Sequence, residues 1–405
     1  MMWNDYRGLK ANRRSKVIKW LCCVSALFWV AASVSADPIW IRQAGGTNYD
    51  QFRAVATDNL GNIVVAGQVT LLDPWVAKYN SAGTLLWQRR LSAFNDSAYH
   101  GVAIDGSGNI IVSMETDSTD AQVTKFNANG QQIWTRRFDS GTNDLEYRVA
   151  VDSLGDIYIA GSSGGLGSSE RDVKLVKYGA NGQRRWIKTI GSSDQDNCNG
   201  ITVDDDDNVI LAGTTYGPLF GPDPANTNRD AWVAKYDSNG LQLWGRQLDA
   251  TPSTRQAYGN AVTTDADGNV LVVGETTGRI PGSTQDGRLW IASLRGANGN
   301  TRWVRQFTLA ANSEYANAVA VDSTGSVYVA GQLNIASGAN AFLRKYSSMG
   351  VFRWDSVIDS GDGDVGFGVA VGLDDYVYVA GQTSGALNGP NRGSTDGFLA
   401  KFAPD

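Results

Sequence analysis

An all-β chain assembled from one repeated four-strand unit is what the sequence predicts, and three observations carry that expectation. Seven tryptophans, Trp40, Trp87, Trp134, Trp186, Trp244, Trp303 and Trp354, recur at intervals of 47, 47, 52, 58, 59 and 51 residues, close to the period of a four-stranded propeller blade. Glycine supplies 47 of the 405 residues and proline only 9, with 10% aromatics. That mixture excludes disorder, collagen and helical bundles and favours short strands joined by glycine turns. Each interval also holds four strand-like segments, so residues 37–405 read as a single seven-bladed β-propeller.

The first unit shows the pattern: strand A at Phe52–Asp58, B at Asn62–Gly67, C at Trp75–Tyr79 and D at Thr84–Leu91. Strand A repeats as a variant of Ala-Val-Ala-Val-Asp at Gly101–Asp105, Arg148–Asp152, Gly200–Asp204, Ala261–Asp265, Ala318–Asp322 and Gly368–Gly372. Alternating small and branched side chains suit the innermost strand, where blades converge and space is shortest. Strand B ends in Ala-Gly at Gly67, Gly161, Gly213, Gly331 and Gly381, whereas Ser113-Met114 and Val273-Gly274 fill that slot in blades 2 and 5.

Tight turns separate these strands. Asp58–Asn62, Asp105–Asn109 and Asp265–Asn269 join A to B, while Asn80–Gly83 and Asn127–Gly130 join C to D. The leading Asp or Asn bonds backbone two residues on, and Gly supplies the positive φ of a tight hairpin. Asp265-Ala-Asp267 and the run Asp204–Asp207 look like fragments of calcium loops. Neither has the glutamate an EF-hand carries at its twelfth position, so both are expected to be turns.

Closure can be counted. The exported chain opens on a lone D-type strand, Ile39–Arg42, and its last unit has A, B and C at Gly366–Val371, Tyr376–Gln382 and Phe398–Phe402 without a D. The N-terminal strand is therefore expected to complete blade 7 and close the ring.

Residues 1–36 differ in composition from the rest. Arg7, Lys10, Arg13, Arg14, Lys16 and Lys19 precede an apolar run, Trp20 to Ala32, and Val34-Ser35-Ala36 forms a small-residue cleavage site. This is the pattern of a signal peptide, with an uncleaved anchor as the competing reading. Ser15-Lys16 after Arg13-Arg14 disfavours a twin-arginine route, and Cys22 and Cys23 lack the preceding small residue of a lipoprotein signal. Removing the segment leaves 29 basic against 40 acidic residues, a charge of about −11, which argues against nucleic acid as a partner. Cys198 then stands alone, so no internal disulfide forms. A secreted or periplasmic monomer with no membrane span after cleavage is the expectation.

Tyr328-Val-Ala-Gly331 and Asp230–Gly240 resemble the repeat of the bacterial seven-bladed β-propeller family, over essentially the whole exported chain. That resemblance implies an exported or surface-associated protein. A second segment, Lys78–Trp87, is similar to the tryptophan-docking motif of quinoprotein-type propellers. The resemblance implies that Trp87, Trp134, Trp186, Trp244, Trp303 and Trp354 pack between blades. It does not extend to quinone binding, because the vicinal cysteine pair of the quinoprotein enzymes is absent and the blade count differs, and no cofactor is expected.

The face carrying the B-to-C and D-to-A loops is the expected binding side, because B-to-C loops lengthen at 162–171, 214–229, 275–288 and 382–396 while the opposite face stays uniform. Three residues into each inner strand segment, one slot holds Arg53, His100, Tyr147, Asn199, Asn260, Asn317 and Phe367, with Arg148 beside it. This collar at the channel mouth is the candidate small-ligand site. Tyr216, Phe220 and Arg229, in a loop with Pro218, Pro222 and Pro224, form a candidate recognition element for sugars or protein, or self-pack over the blade rim. Asp50, Asp144, Asp196, Glu314 and Asp364 share another slot and could ring a cation, calcium being the suited ion, or fix their own turns.

Catalysis has little to stand on. His100 is the chain's single histidine, and no glycine-rich phosphate loop or Ser-His arrangement is present. The expected function is an exported non-catalytic binding or scaffold propeller that recognises a protein or a cell-surface glycan. The alternative is a hydrolase or lyase using carboxylates on the loop-rich face.

Overall fold

The computed structural model describes residues 36–69, 73–90, 99–116, 120–164, 171–221, 228–252, 255–309, 313–335 and 338–404, all within the compact unit Val34–Asp405. The segment 1–36, expected to be a signal peptide, lies outside the described residues apart from Ala36. Seven four-stranded antiparallel sheets make up the fold. Six use consecutive strands, and the seventh borrows Trp40–Ala44, which pairs with Asp396–Phe402 and places Trp40 opposite Lys401. The inner strands Gln51–Thr57, Tyr99–Ile104, Asp144–Val151, Asp196–Val203, Ala261–Thr264, Glu314–Val321 and Asp364–Val371 pack side by side in that order, and the last meets the first. The predicted seven-bladed ring and its closure are both present.

Strands B and C carry near-continuous apolar runs because each is covered by blades on both sides. Val209–Thr215 and Asp230–Tyr236 are buried throughout, and Ile210, Val233, Val272 and Trp290 form one cluster shared by blades 4 and 5. Outer strands such as Leu85–Arg90 instead expose most of their residues.

Two recurrent side chains lock neighbouring blades together. Strand D tryptophans slide under the C-to-D turn of the next blade, and the indole N–H donates to a carbonyl there: Trp87 to Ala128 (3.0 Å), Trp134 to Ala180 (3.3 Å), Trp244 to Gly296 (2.8 Å) and Trp303 to Ser348 (3.1 Å). The arginine two residues on donates to the same turn, Arg89 to Gly130 and Arg305 to Gly350, both at 2.8 Å, while lying over its own tryptophan ring at 5.6 Å. Only glycine fits this turn. At Gly130, φ is +74° and a Cβ would sit 2.8 Å from the Trp87 ring.

A buried lysine in strand C is the second lock. Lys78 pairs with Asp58, Lys125 with Asp105, both at 2.8 Å. Lys125 also reaches the Ala180 carbonyl of the next blade at 3.4 Å. Asp105 Oδ1 accepts from the N–H groups of Ser107 and Asn109 at 3.0 and 2.9 Å, so one carboxylate fixes its turn and anchors the lysine. Asp265 fixes its turn through Asp267 and Asn269 in the same way, and Asp204 does so through Asp206 and Asn208.

Candidate functional site

The inner strands are not regular, and their irregularity builds the site. Register slips between Phe52 and Ala54, Tyr99 and Gly101, Cys198 and Gly200, Ala316 and Ala318, and Gly366 and Gly368. The skipped residues are Arg53, His100, Asn199, Asn317 and Phe367. A bulge re-aims its extra side chain out of the ladder, and here all five, with Asn260, line a cavity of about 420 Å³. It opens where strands A begin and strands B end, on the face of the variable loops.

Blade 3 departs from this plan. Its slip spans two residues, from Leu145 to Arg148, and Glu146 takes a left-handed φ of 55°. A change of phase sends alternate side chains to opposite faces. Tyr147, expected at the mouth, is therefore in the core, 1% exposed, with its ring 5.6 Å from Phe138 and its hydroxyl donating to Asp144 at 3.1 Å. Glu146 and Arg148 line the cavity instead.

Charge is unevenly spread around the mouth. Blades 1 to 3 supply Arg53, His100 and Arg148. Arg148 donates to the His100 carbonyl (2.9 Å) and the Asn199 carbonyl (3.3 Å), tying blades 2, 3 and 4. Arg53 Nη1 lies 3.3 Å from His100 Nδ1, and Glu115 stands 4.0 Å from His100 Nε2. Burial, then the charges of Arg148 and Arg53, hold the imidazole well below its ordinary pKa and keep it neutral. Burial and then Arg148 likewise lower the pKa of Arg53.

Blades 4 to 7 supply amides, a carboxyl and rings. Asn199 donates to the Gly259 carbonyl, Asn260 to Ala316 and Asn317 to Gly366, at 2.9, 3.0 and 2.9 Å. Each bond crosses to the next blade, so these asparagines both line the mouth and fasten it. Burial pushes the Glu275 carboxyl up to about 7, against a hydrogen bond from Asn260 that favours its ionised form. Tyr315, 39% exposed, and Phe367 complete the wall.

The acidic slot does not form a ring. Asp50, Asp144, Asp196, Glu314 and Asp364 are all buried, and each turns back on the loop before its own strand. Asp50 accepts from Gly46 N (2.6 Å), Asp144 from Ser140 N (2.9 Å), Asp196 from Ser192 N (2.5 Å), Asp364 from Ser360 N (2.7 Å), and Glu314 from Leu309 N. Asp144 does lie near Asp120 and Asp139, with one ligand oxygen from each within 4.8 Å of the others. Arg137 pairs with Asp120, however, and Gly141 N and Ser140 N bond the other two.

The described flanks of the long blade 4 loop, residues 214–221 and 228–229, also pack back on the propeller. Arg229 lies 5.0 Å over the Tyr216 ring and 5.5 Å over Tyr258, and donates to both hydroxyls. Phe220 packs on Trp232 at 5.7 Å and covers Gly245. Pro222 and Pro224 fall outside the described residues. Phe220 thus packs on its own blade and Arg229 ties Tyr216 of blade 4 to Tyr258 at the entry of blade 5, apart from the mouth cavity. Cys198 is buried and its thiol is pushed up to about 12 by that burial, so it is chemically quiet.

Glu146, Glu275 and Tyr315 join the cavity without having been singled out in the sequence. Glu146 was the detectable one. Its slot holds Phe52, Tyr99, Cys198, Gly259, Ala316 and Gly366 in the other blades, so a charged residue there marks a break in the pattern.

A family profile described as "Outer membrane protein assembly factor BamB" matches residues 53–238. The resemblance to quinoprotein-type propellers holds. Among solved structures, the propeller is similar to the Pan2 WD40 domain of Neurospora crassa, at 12% identity and TM-score 0.55, covering 90% of this chain and 97% of that one. It is also similar to the Dos1 propeller, at 8% identity and TM-score 0.53, covering 90% and 95%. BamB from Moraxella catarrhalis aligns at 14% identity and TM-score 0.46, covering 92% and 99%. No curated protein matches the propeller in sequence. Among the described residues no helix is long and apolar enough to cross a membrane.

Proposed function

We propose that the chain is an exported, non-catalytic propeller of the cell envelope that binds a protein or surface glycan on its loop-rich face. The carrying observation is the mouth cavity. A bulge repeated in five of the seven blades delivers different side chains to one place, on the face where loop lengths also vary. Packing alone asks for similar residues in equivalent slots, whereas recognition asks for a chemically varied set. The match to an outer-membrane assembly factor profile supports a protein partner in the envelope. Residues 1–36 serve as the export signal in this reading, and 37–405 as the binding propeller.

A hydrolase or lyase is the second reading, and one observation favours it. Glu275, poised near 7, shares the cavity with the exposed Glu146, an arrangement open to acid and base roles.

The test is a glycan-array screen beside capture from envelope extracts, with wild type and the Tyr315→Ala/Phe367→Ala variant, with and without calcium. Saturable binding that the double variant loses at unchanged Tm supports the proposal. Saturable binding in neither assay, with glycosidic cleavage by the wild type, transfers the site to the enzyme reading.

A further inference from the structure

We infer that the mouth cavity is a subsite for a sugar acid, a hexuronate-type ring whose carboxylate is held on the Arg53 and Arg148 side and whose ring lies toward Tyr315 and Phe367. The inference rests on the binding reading above and names the ligand class for its central cavity.

Four features of the cavity converge on that class. The first is the arginines. Two guanidinium groups stand in a narrow mouth on a protein whose overall charge is −6 before export, so they are a local provision and not part of a basic surface. Arg53 lies close enough to Arg148 for the two charges to oppose one another, and a carboxylate on that side relieves the opposition through charge-assisted hydrogen bonds.

The second is charge balance. Glu115 beside His100 and Glu146 beside Arg148 offset much of the cationic charge. Every negative charge a ligand adds works against Glu115 and Glu146, so a singly charged carboxylate is accepted at less cost than a doubly charged phosphate. The third is the hydroxyl-reading side. Asn260 and Asn317 offer amide groups fixed by cross-blade bonds, Glu275 offers a carboxyl held by Asn260 within its own blade, and neutral His100, whose Nδ1 faces Arg53, adds an Nε2–H donor.

The fourth is the wall of aromatic surface. Tyr315 and Phe367 line the cavity beside these polar groups, and aromatic surface next to polar groups is the combination that accepts the C–H face of a sugar while its hydroxyls are read from the side. At about 420 Å³ the cavity lies within the range of small-ligand sites.

The experiment is calorimetric titration of the purified protein with glucuronate, galacturonate and their short oligomers, against glucose, galactose, acetate and inorganic phosphate. Saturable binding of one uronate at least tenfold tighter than its neutral sugar and than phosphate is expected. Arg53→Gln and Arg148→Gln should each remove at least tenfold of that affinity, and Tyr315→Ala several-fold at unchanged Tm. Because Arg148 also ties three blades, Arg53→Gln and Tyr315→Ala carry the test if Arg148→Gln fails to fold. Equal binding of acid and neutral sugar, tighter binding of phosphate, or no uronate binding overturns the inference. A partner captured on this face by a protein that ignores uronates would overturn the sugar-acid subsite and leave the binding reading standing.

Discussion

Arg53 and His100 meet at the channel mouth, guanidinium Nη1 to imidazole Nδ1 at 3.3 Å. Both are bulge residues of adjacent blades, and the contact requires Nδ1 to accept, so the ring is neutral. A base whose folded pKa is depressed contributes stability above its unfolded value, lost as pH falls through the folded one. Since His100 is the chain's single histidine, its ring resonances can be followed alone by NMR. They are expected to stay in the neutral position well below pH 6.5, and Arg53→Gln should move the transition back toward that value. An ordinary titration near 6.5 in the wild type would refute the assignment.

The tryptophan dock predicts a paired result in thermal unfolding. Gly61 and Gly130 share a left-handed φ, +76° and +74°, but a Cβ at Gly61 meets nothing within 4 Å while one at Gly130 strikes the Trp87 ring. Gly61→Ala should cost about 1–2 kcal/mol of backbone strain. Gly130→Ala should cost a further ~1–3 kcal/mol from overpacking. Equal losses would mean that the indole does not depend on that close approach.

Asp105 and Lys125 are both buried and 2.8 Å apart. Burial alone would raise the Asp105 carboxyl, but hydrogen bonds from Lys125 and Asn109 outweigh it and hold the pKa below its ordinary value. Its contribution is therefore present above about pH 3.8 and lost as pH falls through the depressed pKa. Asp105→Ala strands a buried ammonium and is expected to cost about 3–5 kcal/mol at neutral pH, read by chemical denaturation. A loss under 1 kcal/mol would contradict the role of the lock.

Glu275 works in the opposite direction. Its carboxyl is raised from 4.5 to about 7 by burial, so the stability it adds is complete below about 4.5 and lost as pH rises through about 7. Glu275→Gln should flatten that part of the Tm-against-pH curve. An unchanged slope between pH 4.5 and 7 would place the proton elsewhere.

The ring was legible because packing repeats. Tryptophan spacing, the turn residues and the lone strand Ile39–Arg42 each reflect a local rule applied once per blade. The mouth was legible where the bulge repeats, at Arg53, His100, Asn199, Asn317 and Phe367. It failed at Tyr147, because a left-handed Glu146 re-phases that one strand, and phase depends on backbone geometry that spacing does not encode. Glu275 was missed for another reason. It comes from strand B, beyond the single slot from which the collar was read. The acidic slot looked like a ring in sequence, yet each carboxylate had a nearer use in its own loop.

The account stands or falls on which face binds, and site-specific photo-crosslinking decides it. A benzophenone side chain at Tyr315, beside the mouth, is compared with one at Leu154, 76% exposed on an A-to-B turn of the opposite face, in cells exporting each variant. Adducts from position 315 and none from 154 are predicted. Adducts from 154 alone, or equally from both, would contradict a binding site at the channel mouth.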